Sequence, residues 1–181
     1  GVFRNLLMSL VTLVEVAPAA QVRAKAADAF DFARRHGWND QQAAVAVLVA
    51  GAQLKEGRHD EAIATYRIAG AAAERAVAAE HPAGRRLALM SLLGEAGATL
   101  AAGRPADAAS RYDEAAERAL AIPDLLLAIE VLRMAAFCRA RAGDVEGAVE
   151  RGRQALATGR RLRAEVRGMT TLPLAATDLL R

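Results

Sequence analysis

The feature that most constrains this chain is one turn made three times. The stretch GRHDEAIATYRIA at 57–69 returns 46 residues later as GRPADAASRYDEA at 103–115, and 40 residues after that as GDVEGAVERGRQA at 143–155. Each opens on a Gly, supplies Asp or Pro within three positions and then sets Ala at fixed offsets. Gly just past one helix, with Pro or a short polar residue starting the next, is the punctuation of a tight helix–helix turn. A chain that repeats this turn at such intervals builds helix pairs that must stack on one another to bury their apolar faces.

The rest of the chain carries the same punctuation. Phe3, Leu6, Leu7, Leu10 and Val14 keep a helical rhythm over 2–16, which Pro18 stops. Arg4, this apolar stretch and the APAA that follows imitate a secretory leader, but Glu15 interrupts it, and a structural helix is expected. A helix over 19–36 ends at Gly37, and Asn39 and Asp40 are the expected N-caps of a helix over 41–56. Further helices are predicted over about 60–80, 83–102, 105–122, 124–142 and 145–163. The tail GMTTLPLAATDLL reads as a loop with one short helix at most. The result is an all-α chain, an α-solenoid of about four antiparallel helix hairpins in a single domain over 1–181. Its units are a degenerate first hairpin at 1–37, repeats at 40–80, 83–122 and 124–163, and a tail at 164–181.

Aligning the three turns brings nine alanines into register: Ala50, Ala62 and Ala69; Ala96, Ala108 and Ala115; Ala136, Ala148 and Ala155. In this alignment the chain resembles the tetratricopeptide (TPR) family, with the turn Gly at position 15 and the alanines at the small positions 8, 20 and 27. A side chain larger than methyl at a helix crossing pushes the axes apart. Tyr66 and Tyr112 match the aromatic plug of such repeats, and Gly152 does not. Carried back, the register places Ala20, Ala24 and Ala27 in the first repeat, with Met8 at its position 8. The spacings of 42, 46 and 40 residues exceed the family's usual length, and Glu74, Leu120 and Arg160 stand where its Pro is expected. Helices longer than the family norm account for both, as in the long-helix TPR arrays of bacterial regulators and secretion adaptors. HEAT-type repeats share the period and stand as the alternative.

Composition narrows the function classes. Ala supplies about a quarter of the residues and aromatics only 4%, which marks closely packed helices rather than a bulky core. The net charge of +3 is mildly basic, but the few aromatics are scattered, which argues against nucleic acid as the partner. A single cysteine, Cys138, excludes an internal disulfide, and the MAAFC context reads as a buried thiol. His36, His59 and His81 sit at helix ends or turns in no metal-ligand spacing, and no phosphate-binding loop follows a strand. Acidic residues are expected mostly on exposed faces or in caps such as Asp60 and Asp144, with no pair that stands out as general acid and base. The expectation is a cytoplasmic, non-catalytic protein with no cofactor, no metal and no membrane span.

Two surfaces stand out. The TPR resemblance implies an inner groove through Asn5, Ser9 and Thr12; Val47, Gly51, Leu54 and Lys55; Met90, Leu93, Gly94 and Gly97; and Glu130, Arg133, Met134, Phe137 and Arg141. Mid-helix glycines cost about 1 kcal/mol each relative to Ala, so Gly51, Gly94 and Gly97 imply close approach, of a neighbouring helix or of a ligand. The second surface is RGRQALATGRRLRAEVR at 151–167, where Arg153, Arg160, Arg163 and Arg167 share one side of a helix. It reads as a solvated cap of the array or as a docking stripe for an acidic partner. The function expected is a scaffold or adaptor that holds a peptide with apolar anchors and an acidic residue; the alternative is a ligand- or protein-sensing segment of a larger bacterial transcription regulator. Dimerisation through the apolar first helix is left open. The Lys and Asn of a carboxylate-clamp TPR have no counterpart at Asn5 and Ser9, Val47 and Gly51, Leu93 and Gly97, or Arg133 and Phe137.

Overall fold

The computed structural model describes residues 19–178, with side chains over 24–166. Seven helices follow one another: α1 Ala19–Arg35, α2 Asn39–Lys55, α3 His59–Ala78, α4 Gly84–Ala101, α5 Pro105–Leu120, α6 Leu125–Arg141 and α7 Val145–Asp178. No strand occurs among the described residues. The connections are three to five residues long, which reverses the chain each time. Each helix packs on the next, and α2 also touches α4. The predicted helix over 2–16, with Asn5, Ser9 and Thr12, lies outside the described residues.

The repeated turn has one hydrogen-bond pattern. The amide of Gly57 donates to the Leu54 carbonyl at 3.0 Å and that of Arg58 to Gln53 at 2.9 Å; Gly103 donates to Leu100 at 3.0 Å and Arg104 to Thr99 at 3.2 Å. These bonds satisfy carbonyls that the helix end would otherwise leave unpaired, and they require a left-handed residue. Gly57 and Gly103 supply it at φ +74° and +76°. The turn after α3 repeats the pattern without a Gly: Glu80 takes φ +55°, and His81 donates to Ala76 at 2.9 Å.

Helix starts agree with the sequence in part. Pro105 opens α5, and the Asp124 carboxylate accepts from the Leu127 amide at 3.0 Å. Asp144 likewise accepts from the Gly147 amide at 2.9 Å. That bond first, and Arg139 second, hold the Asp144 carboxyl below its usual range. Asn39 is not an N-cap. It is the first residue of α2, and its Oδ1 accepts from Arg75 Nε of α3 at 3.1 Å, so a cross-helix bond replaces the local one. The tail also differs from expectation: α7 continues to Asp178, through Gly168 and Pro173. Both residues weaken a helix, and neither ends this one.

Alanine forms most of the core. Ala50, Ala62, Ala69, Ala96, Ala108 and Ala115 are fully buried, Ala155 is buried, and Ala136 and Ala148 are half-buried. The contrast is positional: among the described residues α7 packs chiefly on α6, whereas each inner helix packs on both of its neighbours. The register carried back into α1 is wrong: Ala24 and Ala27 are exposed, and Ala26, Ala29 and Ala33 are buried against Val45. The turn at Gly37 sets which face of α1 meets α2, and extrapolation from later repeats does not capture it.

Candidate functional site

Of the three mid-helix glycines, Gly94 has a packing cause. A Cβ on Gly94 would overlap the Tyr66 ring atoms Cε1, Cζ and Cδ1, and one on Gly51 would meet the Tyr66 hydroxyl at 3.7 Å. One on Gly97 would meet the Tyr112 hydroxyl at 3.5 Å. Tyr66 thus lies at the junction of α2, α3 and α4 and fills the space at Gly94, whereas at Gly51 and Gly97 a methyl group would make only ordinary contact with a tyrosine hydroxyl. Burial raises the pKa of both phenols.

At the third turn the sizes are exchanged. Phe137 stands six residues before Gly143, where Gly51 and Gly97 stand before Gly57 and Gly103, and Gly152 stands where the tyrosines are. Phe137 is 46% exposed, with the Arg141 guanidinium 5.8 Å from its ring centroid. A Cβ on Gly152 would meet nothing within 4 Å.

Two carboxylates, one buried and one half-buried, which the sequence reading missed, brace the helices. Glu95 on α4 is 6% exposed, accepts from Arg67 of α3 at 2.8 Å and forms an ion pair with Arg111 of α5 at 3.1 Å. Asp113 on α5 binds Arg139 of α6 and, at 2.7 Å, Arg151 of α7. They are exceptions to the expectation that acids lie mostly on exposed faces or in caps. An acid inside the apolar run SLLGEAGATL was the available signal for Glu95. Both carboxylates link helices, and Glu95 with Arg67 and Arg111 lines a depression of about 250 Å³.

The remaining residues of the predicted groove are dispersed. Val47 and Leu54 pack against the Tyr66 cluster, and Leu93 and Met134 against the cluster around Tyr112. Lys55, Met90 and Arg133 are exposed, and Arg133 pairs with Glu130 at 2.8 Å. Of these residues, Arg133 lines the depression between α6 and α7, and the others do not.

That depression holds about 820 Å³. Ile129 of α6 and Val149 and Leu156 of α7 form its apolar floor, with Gly152 and Gly159 along it. Arg133, Arg153, Arg160 and Arg163 line it as well, so the basic stripe and one end of the predicted groove share a surface. The side chain of Arg167 lies outside the described residues. Among the described residues Arg153, Arg160 and Arg163 form no ion pair. Guanidinium groups beside apolar floor suit a carboxylate flanked by aliphatic side chains.

The histidines serve turns. His36 Nδ1 lies 2.8 Å from the Phe32 carbonyl, His59 begins α3, and His81 Nδ1 accepts from the Ala83 amide at 3.3 Å. Among the described residues no group of three or more His, Cys, Asp or Glu could hold a metal ion, and no helix is long and apolar enough to cross a membrane. No family model matches the sequence, and comparison with curated proteins returns no match.

Proposed function

We propose that the chain is a non-catalytic binding module, a TPR-like stack of helix hairpins working in the cytoplasm that holds a segment of another protein. The observation that carries this reading is the last helix pair. Where the inner hairpins bury a tyrosine against glycines, α6 and α7 leave Phe137 46% and Leu156 67% exposed, each with arginines nearby. A helix-pair stack buries its core between neighbours and leaves long surfaces for recognition. Apolar side chains there supply anchors, and a guanidinium grips a carboxylate with two parallel hydrogen bonds, which gives a bound segment direction as well as affinity.

The test is quantitative affinity capture from the source cell with the parent chain and two charge-reversed variants. A partner should be enriched by the parent and depleted at least about tenfold by Arg133→Glu with Arg141→Glu, or by Arg153→Glu with Arg160→Glu and Arg163→Glu. An identical set of captured proteins for all three chains counts against a binding role for this helix pair.

A further inference from the structure

The α7 side of the groove carries a seam. Val149, Gly152, Leu156, Gly159 and Arg163 recur at intervals of three, four, three and four residues, and all line the depression. This is the spacing at which one helix receives the side chains of another. At a rise of 1.5 Å per residue the seam runs for about 21 Å, four turns of a partner helix.

The glycines point outward. A Cβ on Gly152 would meet nothing within 4 Å, and one on Gly159 would meet only Ile129 Cδ1 at 3.9 Å. No contact within the described chain accounts for them as Tyr66 accounts for Gly94. A glycine weakens a helix interior, and its compensation at an exposed seam is the closer approach of another backbone. Charge completes the case. Arg153, Arg160 and Arg163 stand unpaired among the described residues, and no acidic side chain lines the groove. Nucleic acid would answer the charge, but no aromatic ring lines the floor to stack a base.

We infer that the groove between α6 and α7 receives an acidic amphipathic helix of a partner protein. Its apolar side chains enter over Gly152 and Gly159, and its carboxylates meet Arg153, Arg160 and Arg163. The inference rests on the binding-module reading and adds to it the site and the chemistry of the occupant.

The test pans a displayed library of helix-biased peptides of about 16 residues, some four turns, against the whole chain. Affinities of the enriched peptides are read by fluorescence anisotropy. The expected peptides place Asp and Glu beside apolar residues at three–four spacing. The Arg153→Glu, Arg160→Glu, Arg163→Glu variant should bind them at least about tenfold more weakly with its circular dichroism unchanged. Gly152→Ala should also bind at least about threefold more weakly while keeping or raising the melting temperature, because its Cβ obstructs only a partner. Enriched peptides that are not acidic, or that bind the triple variant as tightly as the parent, overturn the inference and leave the binding-module reading standing. Enrichment of no peptide above background counts against both. Sedimentation that shows a dimer lost in the triple variant overturns it in favour of a second copy of this chain.

Discussion

The ring of Tyr66 on α3 occupies the space that a Cβ on Gly94 of α4 would need. Tyr66 is only 7% exposed, so its ring has nowhere to retreat. Gly94→Ala should therefore destabilise the chain by about 1–3 kcal/mol through overpacking, even though Ala is the better helix former by about 1 kcal/mol. Gly152→Ala reverses the sign: with open space around the new methyl group, the propensity gain of about 0.5–1 kcal/mol should appear in full. Urea midpoints of the two variants check both, and destabilisation by Gly152→Ala would show that α7 is covered in solution.

The alanine register gives the second expectation. Ala62 and Ala108 are fully buried at equivalent points of α3 and α5, each five residues after a turn glycine. Ala62→Leu and Ala108→Leu should each cost about 1–3 kcal/mol, because the added atoms force apart helices that now pack at methyl distance. Ala148→Leu, at the equivalent but half-buried point of α7, should cost less than either. Thermal unfolding that ranks the three in any other order would sever the link between the repeated turn and a shared packing site.

How far the sequence could be read follows from the range of each interaction. The turns at Gly57 and Gly103 depend on residues within one helical turn, so spacing alone located them. Alanine periodicity located the tight crossings for the same reason. Glu95 meets Arg67 and Arg111 across three helices, and no local pattern connects residues 28 and 16 positions apart. The Tyr66–Gly94 contact is also non-local: the sequence raised the question of Gly94, but only the packing shows which residue fills it. The basic stripe was legible as one side of α7. Its union with Arg133 and Ile129 required knowing which face of α6 turns toward it.

Cys138 tests the core between α5, α6 and α7. It is fully buried, and desolvation is the main reason its thiol pKa is raised, with nearby Asp113 adding to it and Arg141 opposing it. Both access and ionisation then protect it, so labelling by a disulfide reagent should be at least ~100-fold slower in the native chain than in urea. The sign of the linkage follows: the unfolded thiol ionises near pH 8.5 and the folded one higher, so stability from this group is full below that pH and lost as pH rises. The parent should therefore lose more stability than Cys138→Ala between pH 7 and pH 9.5. Rapid native labelling would place Cys138 in a region that opens locally.

Glu95 separates two accounts of a buried ion pair. Its side chain is 8% exposed, whereas Arg67 is 62% and Arg111 41% exposed, so the desolvation cost falls almost wholly on the carboxylate. Removing the carboxylate leaves two arginines that water can solvate; removing both arginines strands a charge in the interior. Glu95→Met, which keeps volume in the apolar run of α4, should change stability by no more than about 1 kcal/mol, and Arg67→Ala with Arg111→Ala should cost about 3–5 kcal/mol. If the pair instead contributes mainly by attraction, Glu95→Met and the double arginine variant should cost the same, since both abolish the same contacts. Chemical denaturation of the two variants decides between them, and the unequal result assigns Glu95 to holding α3, α4 and α5 in one arrangement rather than to raising the stability of the stack.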